Sequence, residues 1–234
     1  APTTFHQALQ LVVIVMVVFY IYASAPVSCI CLGRLDDLLM PYYMADLAAG
    51  RITEEKAGYL IDDLNCKVSL PLGRGEHQMA GGEGKETGWF RNPLYDSPTY
   101  IVIGGYSNRT SSEPNPLTKI FVEHIHPRFE NPVYIYRRTP EQDEAVWTEL
   151  CDRMRRDSSI IVYNDETVIP AMVNAGIEHR DAVNYTMHPC NWPDIAGKYC
   201  VTHYLGGPIP AMILSMMLDE QNQLRKDFPS MDAV

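Results

Sequence analysis

The segment Asp181-Ala-Val-Asn-Tyr-Thr-Met-His-Pro-Cys-Asn-Trp-Pro-Asp194 sets one cysteine, Cys190, in a proline-flanked, turn-rich stretch. A thiol on a rigid loop is better placed for chemistry than one on a helix face. His188 lies two residues before it and Asp194 four after, so sulfur and two acid–base groups share one short stretch. Composition alone makes Cys190 an ordinary packed thiol. A nucleophilic role with His188 or His203 needs a depressed thiol pKa and a third, orienting group, and the sequence displays neither. The other cysteines, at 29, 31, 66, 151 and 200, are irregularly spaced and form no CxxC. That spacing excludes a zinc ribbon and a thioredoxin-like pair, and reads as reduced thiols of a cytoplasmic protein.

The remaining motifs carry less. His124-x-His126 offers two imidazoles without a carboxylate or cysteine at metal-ligand spacing, so both read as core or surface histidines and no metal is expected. Gly73-x-Gly75 follows no strand and completes no dinucleotide fingerprint. Gly-x-Ser-x-Gly is absent. Asn164-Asp165 stands at a strand end, where a helix cap is the simpler reading than a site residue.

The elements that must position these residues read as α/β. The chain has 234 residues, 46% hydrophobic and 21% charged, enough for a sizeable core. Its formal net charge of −10, with only Arg153, Arg155 and Arg156 clustered, argues against nucleic-acid binding. Leu11 to Ala23 is an uncharged apolar run, short for a membrane span and without a preceding Lys or Arg, so it reads as core. Leu35 to Tyr43 has helical spacing that ends near Pro41 or continues weakly through it. Thr53 caps a helix over 54–67, with Glu54 and Glu55 at the positive end of its dipole. Gly73 to Gly88 reads as a loop.

Tyr100–Ile103, Val133–Tyr136 and Ile160–Tyr163 read as strands. Helices are expected over Pro116–His124, over Glu141–Met154 with Ala145, Val146, Leu150 and Met154 inward, and over Val168–Ala175 closed by Gly176. Strands alternating with helices predict a parallel sheet. No internal boundary is expected within 1–234.

Several short motifs, in order, resemble the glycyl radical enzyme family of pyruvate formate-lyase and its dehydratase, lyase and decarboxylase relatives. They are Gly33-Arg34-Leu35-Asp36, Leu39-Met40-Pro41-Tyr42-Tyr43, Asp46 and Gly50-Arg51-Ile52-Thr53-Glu54-Glu55, followed by Lys67 and Ile103-Gly104-Gly105. Pro132, Arg137, Asn164-Asp165, Val168-Ile169-Pro170, Gly176, Asp181-Ala182 and Tyr185 continue the series to Cys190, at the family's catalytic cysteine. The resemblance implies part of a ten-stranded α/β barrel with a cysteine loop (near 186–197) at its centre.

It further implies that Cys190 carries a thiyl radical generated by a glycyl radical. An activating radical S-adenosylmethionine enzyme installs that glycyl radical. A small organic substrate would then undergo anaerobic radical C–C or C–X chemistry. Many family members read Gly-Cys-Val-Glu at the cysteine; here Pro189-Cys190-Asn191-Trp192 lacks the glutamate, leaving His188 or Asp194 for acid–base work. The adjacent cysteine pair used for acyl transfer from pyruvate is also missing.

The family's Arg-Val-x-Gly-Tyr glycine motif lies several hundred residues beyond the cysteine. Val102-Ile103-Gly104-Gly105-Tyr106 imitates it only superficially, and Gly105 is rejected as the radical carrier. The chain is therefore expected to be an internal part of such an enzyme or one chain of a split one. It would be inert alone, dependent on a complementary glycine-containing polypeptide, and prone to association into homo-oligomers through open sheet edges. The alternative class is a non-catalytic or membrane-associated protein that keeps the scaffold, with Leu11–Ala23 as anchor.

Overall fold

The computed structural model describes residues 1–22, 30–69, 99–107, 115–127, 129, 131–156, 159–188, 192–195 and 198. Two compact units divide the chain, Ala1–Lys198 and Tyr199–Val234. The second lies outside the described residues, as does the glycine-rich loop over 73–88.

Four strands form one parallel sheet in the order β1 (Ile30–Arg34), β2 (Thr99–Gly104), β3 (Val133–Arg138), β4 (Ile160–Asn164). The two central strands, β2 and β3, are short and largely buried, as the apolar run of a parallel sheet requires, while the edge strands β1 and β4 are half-buried. Alternation along them divides two cores. Ile101, Ile103, Tyr134 and Tyr136 point to one face. Val102 and Ile135 point to the other.

The first face is covered by helices. α1 (Phe5–Tyr22), α2 (Leu35–Ala48), α3 (Glu54–Ser69), α4 (Pro116–Glu123) and α5 (Glu144–Met154) supply its apolar partners. The second face carries α6 (Asp165–Asn174), α7 (His179–Ala182) and an antiparallel hairpin, β5 (Thr186–His188) with β6 (Trp192–Asp194). Every described helix linking consecutive strands of the sheet thus lies on one side, and the hairpin packs on the other.

Local chemistry explains the boundaries. Thr53 Oγ1 accepts from Lys56 N at 3.1 Å, capping α3 as its sequence predicts. α2 runs through Pro41, which removes one backbone bond without ending the helix. α5 starts at Glu144 rather than Glu141, because Asp143 Oδ1 caps it by accepting from Ala145 N at 2.8 Å. Only Val146 and Leu150 of its expected inward set are buried; Ala145 and Met154 face out.

α1 bears out the reading of Leu11–Ala23 as core in part: Met16 is buried and Val12 and Val13 pack against the core, while other residues of the run face out. Phe5, Ala8, Leu9 and Met16 are buried, and Phe5 meets Tyr43 edge-on with centroids 5.7 Å apart. Leu11, Ile14, Val15 and Val18 form an exposed apolar stripe on the other side. No helix among the described residues is long and apolar enough to cross a membrane.

Candidate functional site: an arginine-anchored hairpin

The C-terminal ends of all four parallel strands converge on the turn Val183–Tyr185, which leads directly into β5. β3 contributes Arg137, whose register opposite Gly104 turns it to the hairpin face. Its side chain is fully buried and forms a bidentate pair with Asp165, Nε–Oδ1 at 2.9 Å and Nη2–Oδ2 at 2.7 Å. The same guanidinium donates to the carbonyls of Tyr185 (Nη1, 2.9 Å) and Val183 (Nη2, 3.0 Å). It lies 3.8 Å from the centroid of the Tyr185 ring. Tyr185 Oη donates to Asp165 Oδ1 at 2.7 Å, and burial pushes that phenol's pKa up.

Asp165 is the first residue of α6, so β4 delivers it. Asn164 caps the helix by accepting from Glu166 N at 3.2 Å, as the sequence suggests. Asp165 does something else: it turns inward, is wholly buried, and also accepts from Tyr106 N at 2.9 Å. The cap reading therefore describes one residue of the pair only.

β1 reaches the same turn through a bulge. Cys31 pairs with Tyr100 but Arg34 pairs with Val102, so one extra residue enters β1, and Gly33 there has φ +78°. A one-residue shift exchanges faces. Arg34 consequently shares the hairpin face with Val102 instead of pointing into the helices. Its Nη1 donates to Tyr106 O at 2.8 Å and Val183 O at 3.4 Å, and its Nη2 to Gly104 O at 2.8 Å. Burial, then the nearby Arg137 charge, lowers the Arg34 pKa.

β2 completes the ring of contacts. Gly104 N donates to Asp36 Oδ2 at 2.6 Å, and Thr118 Oγ1 donates to the same oxygen at 2.6 Å. Asp36 is buried, which raises its pKa against the opposing influence of Arg34. At Gly105 (φ +83°) a Cβ would lie 2.6 Å from Arg137 Nε and 2.7 Å from Asp165 Oδ2. The close approach of the ion pair accounts for glycine at that position.

The hairpin beyond the turn carries the residues singled out in the sequence. His188 ends β5 and pairs with Trp192; Thr186 pairs with Asp194 at the other end of the hairpin. Asp194 is buried there, at the hairpin's base, with its carbonyl 3.4 Å from Thr186 Oγ1. Asp194 and His188 therefore occupy opposite ends of the paired segment. Cys190 lies outside the described residues, in the stretch that joins His188 to Trp192, as does His203.

Open clefts flank the anchored turn. One of about 320 Å³ is lined by Gly33, Arg34, Asp37, Asn184, Thr186 and Lys198. Another of about 380 Å³ is lined by Tyr106, Ser107, Asp165, Glu166 and His179. At its rim Tyr106 Oη donates to Glu141 Oε2 at 2.5 Å, a bond that, with burial, pushes the phenol's pKa up to about 12. No group of three or more His, Cys, Asp or Glu able to hold a metal occurs among the described residues. Of the expected histidine pair, His124 Nδ1 faces Asp62 at 2.8 Å, whereas the His126 ring lies 4.5 Å from that of Phe129.

The roles of Arg137, Asp165 and Tyr185 are not evident from residue pattern alone. The available signal is a charged residue at the end of an apolar strand, Val133-Tyr-Ile-Tyr-Arg137. Such a side chain at the C-terminal rim of a parallel sheet either reaches water or demands a buried counter-ion.

A parallel sheet with α1–α5 on one face and α6, α7 and an anchored hairpin on the other defines an α/β scaffold. Solved structures share it. A glycyl radical enzyme from Archaeoglobus fulgidus matches 80% of this chain and 23% of its own, with TM-score 0.61 and 23% identity. Hydroxyproline dehydratase from Clostridioides difficile matches 83% of this chain and 24% of its own, with TM-score 0.60 and 18% identity.

The pyruvate formate lyase-like family model matches residues 1–227, and the chain belongs to that family of glycyl radical enzymes. Among curated relatives, isethionate sulfite-lyase of Nitratidesulfovibrio vulgaris is 28% identical over 195 residues, 80% of this chain. The (2S)-3-sulfopropanediol dehydratase of Klebsiella oxytoca is 28% identical over 201 residues, 84% of this chain. The chain spans 22% and 23% of the lengths of these two proteins.

Proposed function

We propose that this chain supplies the thiyl-radical cysteine of a glycyl radical enzyme, Cys190, for radical C–C or C–X bond chemistry on a small organic substrate. The observation that carries this reading is the placement of the hairpin: it packs, with α6 and α7, on the sheet face opposite α1–α5, and Arg34 of β1, Arg137 of β3 and Asp165 just after β4 bond the turn that leads into it. Linking helices on one face, as described for α2–α5, and a strand order that follows the sequence are also what a barrel wall requires, whereas a doubly wound sheet reverses its order and takes linking helices on both faces. The proposed assembly is thus part of a ten-stranded barrel with the cysteine loop inside. Such an interior keeps water from a reactive sulfur.

When bound into that assembly, a glycyl radical, installed by a radical S-adenosylmethionine activating enzyme, supplies the oxidising site. Cys190 gives up its hydrogen atom from the thiol: the S–H bond breaks as a glycine Cα–H bond forms, and the unpaired electron passes to sulfur. The thiol form is the reactant, so no depressed pKa is required. We place the glycine on polypeptide outside these 234 residues; Gly105, which imitates the motif, lies where a Cβ would meet Arg137 Nε at 2.6 Å and Asp165 Oδ2 at 2.7 Å. Trp192 stands where many relatives carry an acid–base glutamate. We assign that work to His188, which adjoins the loop, in preference to Asp194, which lies buried at the hairpin base.

An anaerobic activation experiment read by electron paramagnetic resonance tests the reading. This chain is mixed with a polypeptide bearing the Arg-Val-x-Gly-Tyr region and an activating enzyme. The expected result is a glycyl doublet in the mixture and none from this chain alone. In D2O the Cys190 proton exchanges for deuterium, and reversible hydrogen transfer then replaces the glycine α-hydrogen. The doublet should collapse to a singlet with wild-type chain and persist with Cys190→Ser. Collapse that survives Cys190→Ser overturns the assignment.

A further inference from the structure

We infer that Arg137 is a positioning residue: its buried pair with Asp165 fixes the backbone that aims the Cys190 hairpin. This rests on the thiyl assignment of Cys190 and adds what sets the geometry of its hydrogen transfer. Arg137 is itself far from a merely stabilising ion pair. A structural pair would be satisfied by Asp165 alone, yet Arg137 spends its remaining donors on two carbonyls of a single turn, Val183 and Tyr185. That turn is the last backbone before β5. Thr186, the first residue of β5, is the next residue in the chain.

Three further contacts make the arrangement rigid. The Tyr185 hydroxyl returns to Asp165 Oδ1, closing a loop of bonds through Arg137. The ring of Tyr185 lies against the guanidinium, so rotation of either plane breaks a contact. Arg34, re-aimed by the β1 bulge, also donates to the Val183 carbonyl, at 3.4 Å. The turn is thereby tied to β1 and β3 directly, and through Asp165 to the start of α6 and to Tyr106 after β2.

A planar fork with five donors in fixed directions suits this task, and a lysine cannot reproduce it, since one ammonium cannot meet two carboxylate oxygens and two carbonyls together. Hydrogen-atom transfer is acutely sensitive to distance, and a displacement of about 1 Å can cost on the order of a hundredfold in rate. Loosening the turn should therefore slow transfer at sulfur without preventing radical formation on glycine.

The test is the rate of doublet collapse in D2O, measured in the same activated mixture with Arg137→Lys, Tyr185→Phe and Cys190→Ser chains. Arg137→Lys should give wild-type radical yield with collapse slowed roughly tenfold or more. Tyr185→Phe, which removes one hydroxyl and leaves the ion pair, should slow it by a smaller factor. Backbone amide exchange over 183–188, followed in the unactivated chains, should rise in both variants while exchange in α3 and α4 stays at the wild-type level.

Wild-type collapse rates in both variants, at normal radical yield, overturn the inference. Should Arg137→Lys fail to fold, Tyr185→Phe decides alone: unchanged collapse there rejects the proposal, and slowed collapse with intact radical yield supports it. The Cys190→Ser arm separates the two readings. Collapse in that variant refutes the cysteine assignment itself, whereas persistence there with unslowed Arg137→Lys refutes only the positioning role.

Discussion

At Arg137 and Asp165 two opposite charges are wholly removed from water, so each is tolerable only because the other is present. Removing one partner of such a pair leaves a buried charge unmatched, and Arg137→Ala should cost roughly 3–5 kcal/mol of stability. Tyr185→Phe deletes one hydrogen bond to the carboxylate and should cost about 1–3 kcal/mol. Urea unfolding of both variants checks the ranking; equal costs would show that the ion pair is not the centre of the network. Sequence reading reached these residues only as positions in a family pattern. Asp165 was obscured because a carboxylate at a helix start has a sufficient local explanation, and nothing within a few residues shows that its counter-ion arrives from a different strand. Cys190, His188 and Asp194 were legible as a cluster in sequence. Only strand pairing distinguishes the last two, one at each end of the hairpin.

Elements with a strong local pattern were read well, and those that depend on partners were not. α3 declared itself through Thr53, Glu54 and Glu55. β1 escaped notice because five residues containing Gly33 show no useful alternation, and the bulge that re-aims Arg34 exists only relative to β2. α1 was half legible: its apolar run marks a packed segment, but an all-apolar run does not say which side is buried.

Two predictions belong at this scale. Asp46 ties α1 to α2 by accepting from Phe5 N at 2.7 Å and from Arg51 Nε at 2.7 Å. The backbone bond, foremost, holds the carboxyl's pKa below its ordinary value, against the effect of burial. A depressed folded pKa stabilises fully above the unfolded value of about 3.9 and is lost as pH falls through the folded one. Asp46→Asn should therefore lower the thermal midpoint clearly at pH 7 and progressively less toward pH 3; equal losses at both pH values would falsify this assignment.

The second concerns the outer stripe of α1. Leu11, Ile14, Val15 and Val18 lie at helical spacing and expose apolar surface to water. Ile14→Glu with Val18→Lys should shift sedimentation toward monomer while leaving helix content unchanged. Unaltered association would place the sticky surface elsewhere, with the edges of the sheet the next candidates.

For the whole molecule, α/β architecture was legible because strand and helix periods alternate along the chain, while the side taken by each helix was not. The sheet order β1-β2-β3-β4 follows the sequence, so each new strand docks beside the one just completed. A chain emerging from the ribosome can add these units one after another. The hairpin has no such freedom. Its anchors come from Arg34, Tyr106, Arg137 and Asp165, one from the end of each strand or just beyond it, and the last is delivered only when β4 has joined and α6 has begun. The turn that leads into β5 therefore gains its full set of anchors only once the four-stranded sheet is complete. A half-built sheet would leave that turn without Asp165, and Arg137 without its buried counter-ion.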